Sequence, residues 1–195
     1  MQLIKELSKG LETIEPFLSG YGFEFEDYQI DKGPDGHFTF ASYRNKSKKF
    51  LVDYRFSIGQ ILYQYDNSIA SHPFYLDQLG FADKKRHKDF LPENKHEAFN
   101  RILHDFQYLV DDFFTGECNK LQEISKLQDK IITEVDRKIR KENSIRFDNF
   151  RVEKARQVFR MKEYKKCLEI YSFVDNNDLL GDLDFKIIEY CNRHA

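Results

Sequence analysis

Hydrophobic and polar positions recur along this chain with two different periods. Residues 2 to 19 place Leu3, Ile4, Leu7, Leu11, Ile14 and Leu18 at helical spacing. Gly10 and Pro16 predict a kink in that helix, and "SGYG" predicts its end. From 23 to 66 the period shortens to two. The runs "FEFEDYQI" (23–30), "HFTFASYR" (37–44), "FLVDYRFSI" (50–58) and "QILYQYD" (60–66) are separated by "KGPDG", "NKSKK" and Gly59. They read as four strands of an antiparallel meander. In the third run Phe50, Val52, Tyr54, Phe56 and Ile58 share one face, opposite Leu51, Asp53, Arg55 and Ser57. In the fourth, Ile61, Tyr63 and Tyr65 lie opposite Gln60, Leu62, Gln64 and Asp66. One apolar and one largely polar face is the pattern of a sheet covered on a single side.

The helical period then returns. "SHPFYLDQLG" (71–80) reads as a short helix with Ser71 as its cap and Pro73 in its first turn. From 96 to about 115, Phe99, Ile102, Leu103, Phe106, Leu109, Val110 and Phe113 form a strong stripe. Residues 117 to 142 carry a narrower one: Leu121, Ile124, Gln128, Ile131, Ile132, Val135 and Ile139, with charge on the other faces. "KENSIRFDN" predicts a break there, with Asn143, Ser144 or Asp148 available as caps. Beyond it, Val152, Ala155, Val158 and Phe159 form one stripe, and Tyr164, Cys167, Leu168, Tyr171 and Val174 a second. Arg160-Met161-Lys162 is the expected turn between them, and Leu183, Ile187, Ile188 and Cys191 mark a third helix. The fold class expected is α+β, a four-stranded antiparallel meander covered by helices on one face and followed by an all-helical C-terminal module. The expected boundaries are an α+β domain over 1–116, a connecting helix over 117–143 and a helical hairpin module over 144–195.

Composition narrows the function more than it names it. Hydrophobic residues make up 41% of the 195 and charged residues 33%, enough for a core and a soluble surface. The aromatic share comes mainly from 19 Phe, with 11 Tyr and no Trp, which fits core filling better than a binding surface. Cys118, Cys167 and Cys191 lie far apart without a C-x-x-C pair, so neither a disulfide framework nor a zinc knuckle is implied. With no signal-like leader and no long apolar run, the expectation is a cytoplasmic chain with no membrane partner. Charge is uneven. Residues 137 to 166 hold twelve Lys or Arg against four Asp or Glu, a local net of +8 in a chain whose formal net charge is −2. Such a split makes an interaction surface without naming the partner.

Two resemblances attach to these patterns. In "ARQVFRMKEYKKCLEIYSFV" (155–174), Ala155, Cys167 twelve positions on and Tyr171 four further on match the small-residue and A-x-x-x-F slots of one tetratricopeptide-type hairpin, with Tyr164 opening its second helix. No Trp, Gly, closing Pro or second copy accompanies them, so the resemblance implies a single hairpin docked on other helices. The matched positions pack and do not bind. "FSIGQILYQYDNSIASHPFYLDQLG" together with "FQYLVDDFFTGE" resembles an α+β domain of uncharacterised bacterial proteins, over roughly residues 1 to 120. That likeness implies an immunity or defence-associated partner and supplies no site.

Chemistry is sparse. No phosphate-cradling glycine motif is present, and six histidines show no paired metal spacing beyond His96 and His104, eight apart. Pro34-Asp35 with Asp53-x-Arg55 loosely imitates a Mg²⁺-binding nuclease arrangement, but Arg replaces Lys and "GPDG" is an ordinary turn sequence. Asp111-Asp112 and Glu24/Glu26 read as adjacent surface charges. On the polar sheet face Asp53 and Arg55 point the same way, and Arg44 and Gln64 can join them across neighbouring strands. Arg137, Arg140 and Lys141 lead the basic block. These seven residues are the candidate binding positions, with no catalytic residue, metal or cofactor. The expected function is non-catalytic protein interaction with another protein. The alternative is a metal-dependent nuclease or hydrolase using the polar sheet face. The third is nucleic-acid binding through residues 137–166, with no sequence-specific nucleic acid expected.

Overall fold

A computed structural model describes residues 2–33, 36–55, 57–88 and 95–195. Pro34, Asp35 and Phe56, and the side chains of Leu3 and His96, lie outside the described residues. The chain divides into two compact units, residues 1–130 and 131–195.

The first unit is α+β. It opens with α1 (Gln2–Leu11) and α2 (Glu15–Gly20), the expected kink being a full break with Pro16 in the first turn of α2. Gly10 is where α1 meets α4 (Lys95–Phe106): a Cβ there would lie 2.0 Å from a ring carbon of Phe99. The sheet is an antiparallel meander of β1 (Glu24–Gly33), β2 (Gly36–Asn45), β3 (Lys48–Tyr54), β4 (Ile58–Tyr65) and β5 (Ser68–Ser71) in sequence order. The sheet therefore has five strands, not four. Residues 67–70, which belong to none of the expected elements, supply the extra strand: the chain turns at Asp66-Asn67 and Ser68–Ser71 pairs back onto β4. The expected register holds, with Phe50, Val52, Tyr54, Ile61 and Tyr63 buried. The third run ends earlier than expected, at Tyr54, and Ile58 and Gly59 open β4 instead of preceding it.

Helices close the apolar face. α3 (His72–Gln78) follows β5 directly, and after α4 a short π-helical turn, Val110–Phe114, buries Phe113 and Phe114. Phe106 stands edge-on to Phe50 at 5.4 Å and Phe113 edge-on to Tyr63 at 4.9 Å. Leu103, expected in the core, is only partly buried at its margin. The sheet edges are managed locally. The start of α5 (Asn119–Arg160) supplies Ser125 Oγ to the Ile69 N–H at 2.9 Å and Gln128 Oε1 to the Ser71 N–H at 3.0 Å. On β1, the Asp27 and Asp31 carboxylates accept the Tyr28 and Lys32 N–H groups.

The second unit is helical: the later part of α5, then α6 (Tyr164–Ser172), a 3₁₀ turn at Asn177–Leu179 and α7 (Asp182–His194). The break expected near 143–148 does not occur, and α5 runs through it to Arg160. Asn143, Ser144 and Asp148 favour caps when judged locally, but Asp148 does not cap the helix and turns inward to a tertiary contact. The helix ends in a Schellman motif, with Lys162 left-handed (φ 62°), its N–H on the Phe159 carbonyl and the Glu163 N–H on the Val158 carbonyl. Ala155 and Cys167, both fully buried, meet across the resulting hairpin, the Cys167 thiol 3.4 Å from the Ala155 carbonyl oxygen. Val152, Val158, Tyr171, Val174, Ile187 and Cys191 complete a separate core. Among the described residues no helix is long and apolar enough to cross a membrane.

Candidate protein-binding surface

The polar sheet face does not gather its four candidate residues. Arg44, Lys49 and Gln64 form one cross-strand row, whereas Asp53 lies opposite Phe40, four residues along β3. At a strand rise of about 3.3 Å per residue that is roughly 13 Å away. Arg44 Nε donates to Glu26 Oε1 at 2.6 Å, and Lys49 Nζ reaches Glu26 Oε2 at 2.7 Å. A bulge in β1 between Phe25 and Asp27 aims Glu26 at this row. Lys49, then Arg44, hold its carboxyl down to about 2. The Gln64 amide donates to the Asp66 carbonyl, and the Asp53 carboxylate accepts the Gln60 N–H at 2.7 Å. Gly59 permits this last contact, since a Cβ there would sit 1.8 Å from Asp53 Oδ1. Arg55 belongs to the connection after β3, where its N–H bonds the Ser57 carbonyl at 3.1 Å. Glu26, Arg44, Lys49 and Asp53 thus each serve local structure.

The interior holds a polar constellation that the sequence did not mark. The Tyr63 hydroxyl lies 2.7 Å from His72 Nδ1, and His72 Nε2 lies 3.2 Å from Asp105 Oδ2. Asp105 also accepts the Arg86 and His87 N–H groups and faces His104. Burial alone would raise its carboxyl, but His72, His104 and the two amides hold it at about 2. Tyr63, His72 and Asp105 have no exposure, so a substrate has no route to them. The network joins β4, α3 and α4 around the 86–87 segment. Asp112, read above as a surface charge, is likewise occupied: it accepts the Tyr75 hydroxyl at 2.5 Å and caps α5 through the Lys120 and Leu121 N–H groups. Among the described residues, no group of three or more His, Cys, Asp or Glu could hold a metal ion.

The second unit presents something different. Arg137, Arg140 and Lys141 are exposed on α5, within a run from 131 to 144 in which every residue is exposed. Farther on, Phe147, Phe150 and Phe173 are 62%, 63% and 56% exposed. They flank one junction. Fully buried Asp148 accepts the Arg151 guanidinium at 2.8 Å and the Asn176 N–H at 3.0 Å, and Arg151 also donates to the Phe173 carbonyl at 2.6 Å. Burial works against the Asp148 charge, yet the Asn176 amide and then Arg151 hold its carboxyl below the usual range. A second buried carboxylate, Asp184, takes both Arg156 Nε and Nη2 at 2.7 Å, the Tyr171 hydroxyl at 2.8 Å and the Gly181 N–H at 2.9 Å. Arg156 is the chief reason its carboxyl falls to about 2. Two buried acids thus fix the segment between α6 and α7 to α5, and the three phenylalanines project from that rigid frame. Sequence reasoning passed over them. The only signal was "RFDNF", two Phe in a charged stretch that no packing stripe needs.

Comparison with protein-family models, curated proteins and solved structures finds no match for this chain.

Proposed function

We propose that this chain is a non-catalytic protein-interaction protein whose docking surface is the Phe147–Phe150–Phe173 face of the C-terminal unit. The observation that carries this reading is three large aromatic side chains, each more than half exposed, on a frame that buried Asp148 and half-buried Arg151 tie together. Exposed apolar patches of this kind are costly in water and mark surfaces that become covered. Rigid aromatic anchors lose little side-chain entropy on binding. Arg146 and Lys154, both exposed beside the patch, suit a partner with an apolar pocket and an acidic rim. The bacterial α+β resemblance of the first unit makes an immunity or defence-associated partner the favoured class.

The test is quantitative affinity capture from native-host extract with the unaltered chain and with a Phe147→Ser/Phe150→Ser variant, analysed by mass spectrometry. A protein captured in stoichiometric amount by the unaltered chain and lost with the variant supports the proposal. Capture that the two substitutions leave unchanged overturns it. Far-UV circular dichroism confirms that the variant keeps its helices, since neither side chain belongs to the core.

A further inference from the structure

The loop after α3 carries a consecutive basic run, Lys84-Lys85-Arg86-His87-Lys88. It lies in neither helix nor strand, yet its backbone is fixed. The N–H groups of Lys84 and Lys85 both bond the Phe81 carbonyl at 3.0 Å, and those of Arg86 and His87 reach the Asp105 carboxylate at 2.8 Å. Four successive amides are thus satisfied, two of them by a carboxylate with no exposure. The Phe81 ring, stacked on Tyr108 at 4.6 Å, fixes the start of the loop.

The side chains of the run divide. His87 turns inward, and Lys85 pairs with Asp77 at 2.5 Å. Lys84, Arg86 and Lys88 stay exposed, and among the described residues none of the three meets a carboxylate within ion-pair distance. Lys84 Nζ lies instead 5.6 Å from the centre of the Phe81 ring. Backbone spans at most about 3.6 Å per residue, so these three cations hang from no more than about 14 Å of chain. Like charges this close repel, since the Debye length is about 8 Å at physiological salt. A loop free to move would spread them, whereas this one is pinned by a buried carboxylate, whose own burial is costly. Unneutralised charge held together in that way is what a preorganised binding surface requires.

We propose that Lys84, Arg86 and Lys88 bind an acidic peptide segment of a protein partner. A few fixed cations suit acidic-motif recognition, in which each carboxylate is met by a charged donor. Asp77 and Asp83 accompany the run, so residues 77 to 88 hold four Lys or Arg against two Asp, a net of +2. That is a small charge for the broad field that draws a nucleic acid or an anionic membrane. The Phe81 ring is already engaged by Tyr108 and Lys84 and is no platform for a base. This surface belongs to the first unit and does not draw on the Phe147–Phe150–Phe173 reading.

Fluorescence anisotropy of a labelled hexaglutamate peptide titrated with the full chain tests the proposal. At low salt the dissociation constant should be about 100 µM or tighter, and binding should weaken as salt rises. Lys84→Gln/Arg86→Gln/Lys88→Gln should weaken it at least about tenfold. Arg137→Gln/Arg140→Gln/Lys141→Gln, which alters the other basic stretch, should leave most of it. The loop variant should melt at the same temperature as the unaltered chain or higher, because the charges it removes make no ion pair among the described residues. Absence of binding by the unaltered chain overturns the inference, as does binding that the loop substitutions leave unchanged. A lowered melting temperature in the loop variant also overturns it, since the charges would then serve the fold. A short oligothymidylate or a phosphatidylserine vesicle held more tightly than the peptide by the same three residues overturns the choice of partner. Phe147 and Phe150 are intact in these variants, so the result is independent of the capture experiment.

Discussion

Replacing Asp184 by Asn tests whether the C-terminal unit is held by its buried carboxylate. The carboxylate has no exposure and accepts four hydrogen bonds, two from Arg156 and one each from Tyr171 and Gly181. An amide keeps one acceptor oxygen and turns its NH₂ toward donors, so two of those bonds fail whichever way it is flipped. Hydrogen bonds to charged groups contribute roughly 1.5–3 kcal/mol each. Arg156 is about a third exposed and can recruit water, which lowers the loss. The expected destabilisation is about 2–3 kcal/mol. Linkage gives a similar figure: a carboxyl held at about 2 when folded, against about 3.9 when unfolded, stabilises by about 2–3 kcal/mol at neutral pH. Because the folded value is the lower one, this stabilisation is complete above about pH 4 and is lost as pH falls toward 2. Urea unfolding followed by far-UV circular dichroism and tyrosine fluorescence measures it in a chain without Trp. The gap between the unaltered chain and Asp184→Asn should be full at pH 7 and close between about pH 4 and pH 2. A gap below about 1 kcal/mol, or one that does not change with pH, refutes the reasoning.

Tyr171→Ala removes a buried ring and the hydroxyl on Asp184, and should cost about 3 kcal/mol or more in the same urea titration. Gly59→Ala should destabilise the first unit by about 1–3 kcal/mol, because the new Cβ must displace the Asp53 carboxylate from the Gln60 N–H; thermal melting checks it. Fluorescence anisotropy with mixed-sequence oligonucleotides near physiological salt should find only weak, salt-sensitive binding to the Arg137–Lys141 region, weaker than about 10⁻⁶ M. Tight binding abolished by Arg137→Glu, Arg140→Glu and Lys141→Glu would favour nucleic acid over a protein partner.

The parts of this molecule legible in its sequence are those where one face is buried. Phe50, Val52 and Tyr54 announced their strand because slipping by one residue would expose all three. Ala155, Cys167 and Tyr171 announced the hairpin by spacing alone. β5 was not legible: four residues between a turn and a helix are too short to show a period, and its pairing depends on Ser125 and Gln128 more than fifty positions away. The continuity of α5 was hidden for a related reason. Asn143, Ser144 and Asp148 are residues that favour caps, and only the fold decides that Asp148 instead receives Asn176 from 28 positions away. The polar sheet face was legible as a face but not as separate contacts, since Glu26 reaches Arg44 only through a bulge. Exposure itself has no sequence signature, so Phe147 and Phe150 looked like two more of the core's phenylalanines.

The central claim is that the C-terminal unit docks a protein partner through its exposed aromatics. Hydrogen–deuterium exchange on the chain, free and bound to the captured partner, tests it most directly. The account predicts new protection over residues 146–151 and 173–176, with the amides of β1 to β4 unchanged. Protection confined to the sheet, with 146–151 exchanging as in the free chain, would contradict it.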